Sequence, residues 1–336
     1  MKAIVLKRTG HPRVLELQDV PEPVPRAGEV RVHLRYTGIN YAEILSRKGL
    51  YRWAPKRPYV LGMEGSGVIE TVGAGVDPSR VGQKVMVGTQ YGCYAEKVVV
   101  PQERAISAIE SLTMEENAAF GVNYMTAWVA LIELARLQVG EKVVVTAAAG
   151  GVGTAGVQLA TRLGSQVYGL AGSPEKADLV RSLGAADAID YTAPDWQQRL
   201  REMTGGVDVV LETVGGSVYR SCLELLNPFG RIVVAGFASL NLKRWNPASW
   251  WRTWRDVPRA RLMDLARSST GIMATHLGYL LDEPARLQTV FERLRAFVTE
   301  QEIRPVIGRL FPFEDVAAAH AFVESRQSVG KVLLKH

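Results

Sequence analysis

The sequence predicts an α/β protein in which a doubly wound parallel sheet is joined to a second, β-rich domain. Three observations carry that reading. Residues 142–235 alternate short β-branched runs with helix-patterned segments, and a glycine loop follows the first of those runs. Residues 1–121 hold short alternating apolar runs separated by Gly and Pro. A chain of 336 residues with 47% hydrophobic and 22% charged side chains has the length of two domains and the composition of a core-forming protein, which argues against disorder and coiled coil.

The elements follow in order. Residues 1–10 (MKAIVLKRTG) are apolar only over 3–6 and lack a small-residue cleavage pattern, so they read as a first strand and not as a signal peptide. Residues 30–36, 67–72 and 84–87 alternate, and 95–100 ends at Pro101; Gly73-Ala74-Gly75 and Asp77-Pro78 supply turns between them. The most apolar stretch, 118–132, is broken by Asn123 and closed by Glu133. A bilayer span needs about 20 apolar residues, so this is a buried helix or its lead-in. From Asn123 onward the pattern predicts strands at 142–146, 166–170, 188–190, 207–211 and 231–235. Helices fall between them at 154–163, 174–183, 196–203 and 218–226, the last closed by Asn227-Pro228. Repeated βα units imply a parallel sheet covered on both faces. Beyond them come a helix at 284–300, a stretch bounded by Pro305 and Pro312, a helix at 314–325 and a strand at 331–334. The domains are therefore placed at 122–281 for the parallel sheet and at 1–121 with 282–336 for the β-rich part.

Forty Lys and Arg against thirty-four Asp and Glu give a net charge of +6 with both signs interspersed, compatible with acidic ligands and without demand for nucleic acid. Cys93 and Cys222 are too few for a disulfide framework and lack zinc spacing, which fits a reducing compartment and a cytoplasmic location.

The segment Lys142-Val-Val-Val-Thr-Ala-Ala-Ala-Gly-Gly-Val-Gly-Thr-Ala-Gly156 is the most informative. A buried strand runs into Ala148-x-Gly150-x-x-Gly153 and then a helix, the order of a Rossmann dinucleotide-binding unit. Ala148 replaces the first glycine, Gly150 admits a pyrophosphate, and Gly153 lets helix and strand pack closely. The loop Ala149, Gly150, Gly151, Val152 and Gly153 offers free N–H groups to phosphates at a helix N-terminus. An NAD site usually carries an acid about 20 residues further on, but none occurs between Thr154 and Pro174. The second strand ends in Gly169-Leu-Ala-Gly-Ser-Pro-Glu-Lys176, where Ser173 can donate a hydrogen bond and Lys176 a charge to a 2′-phosphate. NADPH is the expected cofactor. Ser173 also suits a helix N-cap with Pro174 behind it, and both roles can hold together.

With these features in hand, the chain resembles the medium-chain dehydrogenase/reductase superfamily, which implies that the β-rich part is a GroES-like catalytic domain. Zinc members carry a Cys after the Gly of the first catalytic loop and a Gly-His-Glu further on. Here the sequence reads Gly38-Ile39-Asn40-Tyr41 and Gly62-Met63-Glu64-Gly65, leaving Glu64 alone, and the four-Cys structural lobe is missing. Four-coordinate zinc cannot be built from these residues, and His11, His33, His276, His320 and His336 show no ligand spacing. Gly-Ile-Asn-Tyr, Gly-Leu-Tyr, AAAGGVG, Leu61-Gly-Met-Glu-Gly65, Leu211-Glu-Thr-Val-Gly-Gly216 and Val329-Gly-Lys-Val-Leu-Leu334 resemble the zinc-free quinone oxidoreductase (zeta-crystallin) family. Val122-Asn-Tyr-Met-Thr-Ala127, Trp250-Trp251 and His276-Leu-Gly-Tyr-Leu280 resemble its vesicle amine transport protein branch.

The resemblance implies roles. Asn40 contacts the nicotinamide side and Thr126 the nicotinamide ribose and phosphate. Ser173, Lys176 and Tyr191 surround the 2′-phosphate and adenine, Gly236 and Phe237 flank the nicotinamide, and Lys331 joins the cofactor-binding set. Tyr51 lines the substrate cleft and, with Asn40, forms the catalytic pair; a further cleft Tyr of the family is Leu45 here. Asn40 also reads as a plain turn residue and Tyr191 as a packing aromatic. The expected activity is zinc-independent, NADPH-dependent reduction of a small apolar quinone or α,β-unsaturated carbonyl, with the proton from Tyr51 or solvent. A lipid or hydrophobic-ligand binding protein with little turnover is the alternative. Residues 241–261 carry four Trp and six basic residues against one acid, which suits a lid, a subunit contact or peripheral membrane contact. A homodimer through an edge near 271–280 is expected, and nucleic acid is not.

Overall fold

The computed structural model describes residues 1–236, 251 and 261–336. In chain order it contains β1 (Lys2–Leu6), β2 (Leu17–Asp19), β3 (Glu29–Ile39), α1 (Tyr41–Lys48), β4 (Tyr59–Val60), β5 (Glu64–Val72), β6 (Lys84–Gly88), β7 (Lys97–Pro101) and β8 (Ala105–Ser107). Next come α2 (Met114–Trp128), β9 (Lys142–Val145), α3 (Gly151–Arg162), β10 (Gln166–Ala171), α4 (Pro174–Ser182) and β11 (Asp187–Asp190). They are followed by α5 (Trp196–Thr204), β12 (Val207–Glu212), α6 (Gly216–Glu224) and β13 (Leu226–Val234). After residue 260 come α7 (Leu262–Ser268), β14 (Gly271–Ala274), α8 (Leu277–Leu280), α9 (Pro284–Glu300), β15 (Ile307–Pro312), α10 (Val316–Glu324) and β16 (Lys331–Lys335).

The chain forms two units, Met1–Val122 with Leu277–His336, and Asn123–His276. Val122 belongs with the first because its amide is bonded to Glu64, and 277–281 belong there because Tyr279 packs edge-on against Trp53.

In the first unit, β15-β16-β3-β5-β6-β8 form one sheet, with β7 also paired to β3. A small sheet, β2-β1-β4, accompanies it. The alternation predicted for 30–36 is seen in β3, where Val30, Val32 and Leu34 are buried between exposed or half-buried neighbours. These three side chains join Ile69, Val85, Val87, Val98 and Val100 in one core. The C-terminal strand β16 closes back against β3, pairing Val332 with Ile39 and Leu333 with Gly38, and so brings Lys331 beside the start of α1.

In the second unit the sheet order is β11-β10-β9-β12-β13-β14, all parallel. This is the doubly wound order, with the direction of winding reversing between β9 and β12. Val143, Val144 and Val145 are wholly buried, as are Val209, Val210 and Leu211 beside them, which accounts for the continuous apolar runs seen in the sequence.

Several sequence expectations need correction. The 41–48 segment, to which the sequence reading assigned no element, is helix α1, begun by Asn40 and ended by Gly49 at φ +75°. Asn227-Pro228 does not close a helix: α6 ends at Glu224 and these residues lie in β13. Pairing jumps from Val207·Leu226 to Val209·Arg231, so the Pro sits where the ladder is interrupted and needs no donor. The edge near 271–280 is strand only as far as Ala274, because β13 ends at Val234 and offers no further partner. Phe237 and all of 241–261 except Trp251 and Arg261 lie outside the described residues.

Candidate active site

Of the nucleotide-binding residues expected in the second unit, the glycine loop, Ser173, Lys176 and Tyr191 follow the carboxyl ends of β9, β10 and β11. Leaving β9, the chain turns through Ala147, whose φ of +46° is unusual for a residue with a Cβ, and enters α3 at Gly151. Gly150 donates its amide to the Ala147 carbonyl at 2.8 Å, and its own carbonyl accepts from Thr154 at 2.8 Å. Gly151, Val152 and Gly153 occupy the first three helical positions, whose amides have no acceptor within the helix. Gly153 is required by close approach, since a Cβ there would stand 2.2 Å from the Ala147 carbonyl oxygen. Two contacts escaped the sequence reading. A Cβ at Gly156 would stand 2.5 Å from Leu211, and one at Gly151 would stand 2.6 Å from the Asn123 amide nitrogen.

At the end of β10, Ser173 is the N-cap of α4, its hydroxyl oxygen accepting from the Lys176 amide at 3.3 Å, with Pro174 at the first helical position. The hydroxyl proton is shared with the neighbouring Glu175 carboxylate, a contact that lowers that acid from its ordinary value. Lys176 is half-buried, and desolvation lowers its ammonium from the ordinary lysine value. Tyr191, after β11, turns its hydroxyl toward Gly172, where a Cβ would stand 3.5 Å from it. It also packs on the unit's core, so its aromatic role there is real. Thr126 is buried in the last turn of α2, and Gly236 stands against the Thr213 backbone at the end of β13.

The turn after β12 is tied down by groups the sequence did not single out. Thr146 accepts the Thr213 amide through its hydroxyl at 2.8 Å. The buried Glu212 carboxylate accepts from Val214 at 2.9 Å and from Gly215 at 2.9 and 3.0 Å. Burial raises the Glu212 carboxyl above its ordinary value against the pull of those amides.

In the first unit, Asn40, Glu43, Glu64 and Lys331 form one polar cluster. The Lys331 ammonium donates to Asn40 Oδ1 at 2.6 Å and is ion-paired with Glu64 Oε1. Glu64 Oε2 accepts the Val122 amide at 2.8 Å. Glu43 accepts the Asn40 amide on Oε2 at 2.6 Å and the Met63 amide on Oε1 at 2.9 Å. Lys331 and Glu64 are each 2% exposed and Glu43 is wholly buried, while Asn40 is half-buried. Burial pushes the Glu43 carboxyl up to about 7, with Glu64 adding to the rise and Lys331 and the two amides opposing it. The spacing Asn40-x-x-Glu43 is a helix-start signal that could have located Glu43. Lys331, expected in the cofactor-binding set, is committed in this structure to Asn40 and Glu64.

Tyr51 stands edge-on to Trp53 (centroids 6.3 Å apart, planes at 87°), and Trp53 likewise to Tyr279 at 6.2 Å. Burial, with the Glu43 charge second, raises the Tyr51 phenol above its ordinary value, so it holds its proton at neutral pH. Trp53 and Tyr279 were not foreseen; they lie far apart in the chain, and only the fold brings them together.

A zinc ion does not fit the first-unit cluster. Of the metal ligands expected of zinc relatives only the Glu64 carboxylate is present, and its oxygens are engaged by an ammonium and an amide. Among the described residues no group of three or more His, Cys, Asp or Glu could hold a metal ion. No helix among them is long and apolar enough to cross a membrane.

Residues 26–110 match the alcohol dehydrogenase GroES-like domain family, and residues 183–334 match the family described as zinc-binding dehydrogenase. Together with a Rossmann sheet, they define a medium-chain dehydrogenase/reductase. The chain is 36% identical over 340 residues to the human synaptic vesicle membrane protein VAT-1 homolog, covering 99% of this chain and 86% of that protein. It is 33% identical over 337 residues to a quinone oxidoreductase of Pseudomonas aeruginosa, covering 99% of each. The quinone oxidoreductase of Thermus thermophilus, whose structure was also determined as a complex with NADPH, superposes with a TM-score of 0.82 at 35% identity, covering 100% of both chains. The chain belongs to the quinone oxidoreductase family of that superfamily, which includes the VAT-1 homologues as a branch. It is an oxidoreductase of the medium-chain dehydrogenase/reductase superfamily.

Proposed function

We propose that the protein is a zinc-independent, NADPH-dependent reductase of quinones or α,β-unsaturated carbonyls. The observation that carries this reading is the cluster in the first unit: the Glu64 carboxylate is neutralised by a lysine of the same chain. NADPH supplies a hydride when bound. The protein's own residues bind and orient. The amides of Gly151, Val152 and Gly153 receive phosphate charge, and the Ser173 hydroxyl and Lys176 ammonium receive the 2′-phosphate. The absence of an acid between Thr154 and Pro174 favours NADPH over NADH, because a carboxylate there would repel the phosphate.

On the acceptor side, Asn40 offers its amide NH2 and Tyr51 its hydroxyl. Without a Lewis acid, an acceptor that spreads negative charge over a conjugated system is favoured over a simple ketone. Tyr51 acts as a hydrogen-bond donor that keeps its proton, since burial raises its phenol, and the proton that completes reduction comes from solvent. Purified protein is expected to consume NADPH with 9,10-phenanthrenequinone or an enone at a rate unchanged by a zinc chelator. Failure with both acceptors refutes the reading. Tight phospholipid binding without turnover would instead support a hydrophobic-ligand carrier, the reading favoured by the VAT-1 likeness. Self-association through β14, the edge strand of the sheet among the described residues, completes the proposal and is tested by light scattering of the eluted protein.

A further inference from the structure

We propose that Lys331 is a positioning residue that acts through Asn40, not a ligand of the nucleotide. The inference deepens the reductase reading and rests on it. An ammonium has donors only, so contact with it selects the amide oxygen of Asn40 and turns the NH2 group the other way. Lys331 Nζ lies 2.6 Å from Asn40 Oδ1 and is held from behind by Glu64, whose second oxygen is fixed by the Val122 amide.

Space around the pair is shaped for it. A Cβ at Gly38 would stand 2.6 Å from Lys331 Cε and 2.8 Å from Glu64 Oε1, and one at Gly121 would stand 2.9 Å from Glu64 Oε2. Asn40 is the most exposed of the four residues and therefore the member a ligand can reach. Its Nδ2 has Glu43 Oε1 at 3.5 Å, too long to use the donor fully. The NH2 group is thus left for an acceptor oxygen, and the ammonium on the far side of the amide polarises it and strengthens that donation. Without Lys331 the amide loses its ammonium partner, and its last torsion, which has two broad wells, is held only by the contacts with Glu43.

Removing Lys331 alone would strand a buried Glu64 charge, so the test neutralises the pair together, as Glu64→Gln/Lys331→Met. NADPH turnover with 9,10-phenanthrenequinone and NADPH affinity by fluorescence are measured for Asn40→Ala, the pair variant and the triple variant. Loss of the positioned donor is expected to lower kcat roughly 100-fold in Asn40→Ala and in the pair variant. The triple variant and the pair variant are expected to match Asn40→Ala in both turnover and NADPH affinity, because Lys331 acts only through Asn40. Losses that multiply in the triple variant, or NADPH binding weaker in the pair variant than in Asn40→Ala, overturn the proposal. A crystal structure of the unaltered protein with NADPH decides the same point without turnover or substitution. Lys331 Nζ is expected to remain on Asn40 Oδ1 and Glu64, and an ammonium moved onto the cofactor phosphates overturns the assignment. If the unaltered protein reduces no acceptor, the reductase reading fails, while the crystal still reports on Lys331.

Discussion

Glu43 gives the sharpest quantitative expectation, because its protonation should make stability depend on pH in a direction opposite to that of a salt-bridged carboxylate. It is wholly buried on α1, and burial pushes its carboxyl from 4.5 up to about 7. Below pH 4.5 the carboxyl is protonated in both folded and unfolded chains and contributes no pH dependence. Between 4.5 and about 7 the folded chain holds the proton while the unfolded chain releases it, so stability falls as pH rises. Above 7 the folded state carries the full cost of an ionised buried carboxylate. At about 1.4 kcal/mol per pH unit across that window, the cost comes to roughly 3 kcal/mol.

The comparison is wild type with Glu43→Gln, each unfolded thermally between pH 4.5 and 8. Gln presents a donor to one of the two amides, Asn40 or Met63, that Glu43 accepts, so the variant's stability at any single pH is not the readout. The difference between the two proteins is. Other groups close to Glu43, namely Lys331, Glu64, Tyr51, Tyr59, Cys93 and Tyr94, are present in both chains and largely cancel. His320 and His336, both lowered to about 3 by burial, take up protons in this window only on unfolding, and do so equally in both proteins, so their contribution cancels as well. Wild type is expected to lose roughly 6–12 °C of Tm relative to the variant from pH 4.5 to 8, at about 2–4 °C per kcal/mol for a unit of this size. A flat difference would mean that Lys331 and the two amides keep Glu43 ionised, and the reasoning from burial would fail.

Three further outcomes follow from the second unit. Ser173→Ala and Lys176→Ala should each weaken NADPH binding roughly 10- to 100-fold in calorimetry and leave NADH untouched, since each removes a charge-assisted contact of about 1.5–3 kcal/mol; equal weakening of both nucleotides would deny a 2′-phosphate site there. Gly153→Ala drives a Cβ to 2.2 Å from a backbone carbonyl and should cost roughly 2–3 kcal/mol with loss of nucleotide binding, so an unchanged Tm would contradict the loop geometry. Thr146→Val strands the Thr213 amide, now 2.8 Å from its hydroxyl acceptor, and should destabilise the unit by about 1–3 kcal/mol, measured by thermal unfolding.

The Rossmann unit was legible because its signals are local. Three consecutive valines must be buried on both faces, and glycines recur where strand, loop and helix approach closely. The same local logic failed at Asn227-Pro228, where a bulge removes the need for the donor that Pro lacks, and at 271–280, where strand length is set by the partner strand. Asn40 and Tyr51 could be named from motifs, but their surroundings could not. Lys331 lies 291 residues from Asn40 and meets it only because β16 pairs antiparallel with β3. The missing metal ligands were visible in the sequence; the identity of the cation beside Glu64 was not.

That cation also bears on which acceptors the proposed chemistry suits. The Lys331 charge is opposed at close range by Glu64, and a second carboxyl, Glu43, stands on the next element. With Glu43 protonated the three groups sum to zero, and with it ionised they sum to −1. Neither state resembles a divalent metal, so a localised alkoxide would gain little long-range stabilisation beside them. What the cluster offers is a neutral donor of fixed direction, the Asn40 amide, which suits an oxygen whose charge is shared through a conjugated ring or enolate. The ionisation of Glu43 then works against any negative charge developing at that oxygen. Turnover of a quinone should therefore decline as pH rises through about 7, and Glu43→Gln should remove that decline. A decline that persists in the variant would place its origin elsewhere.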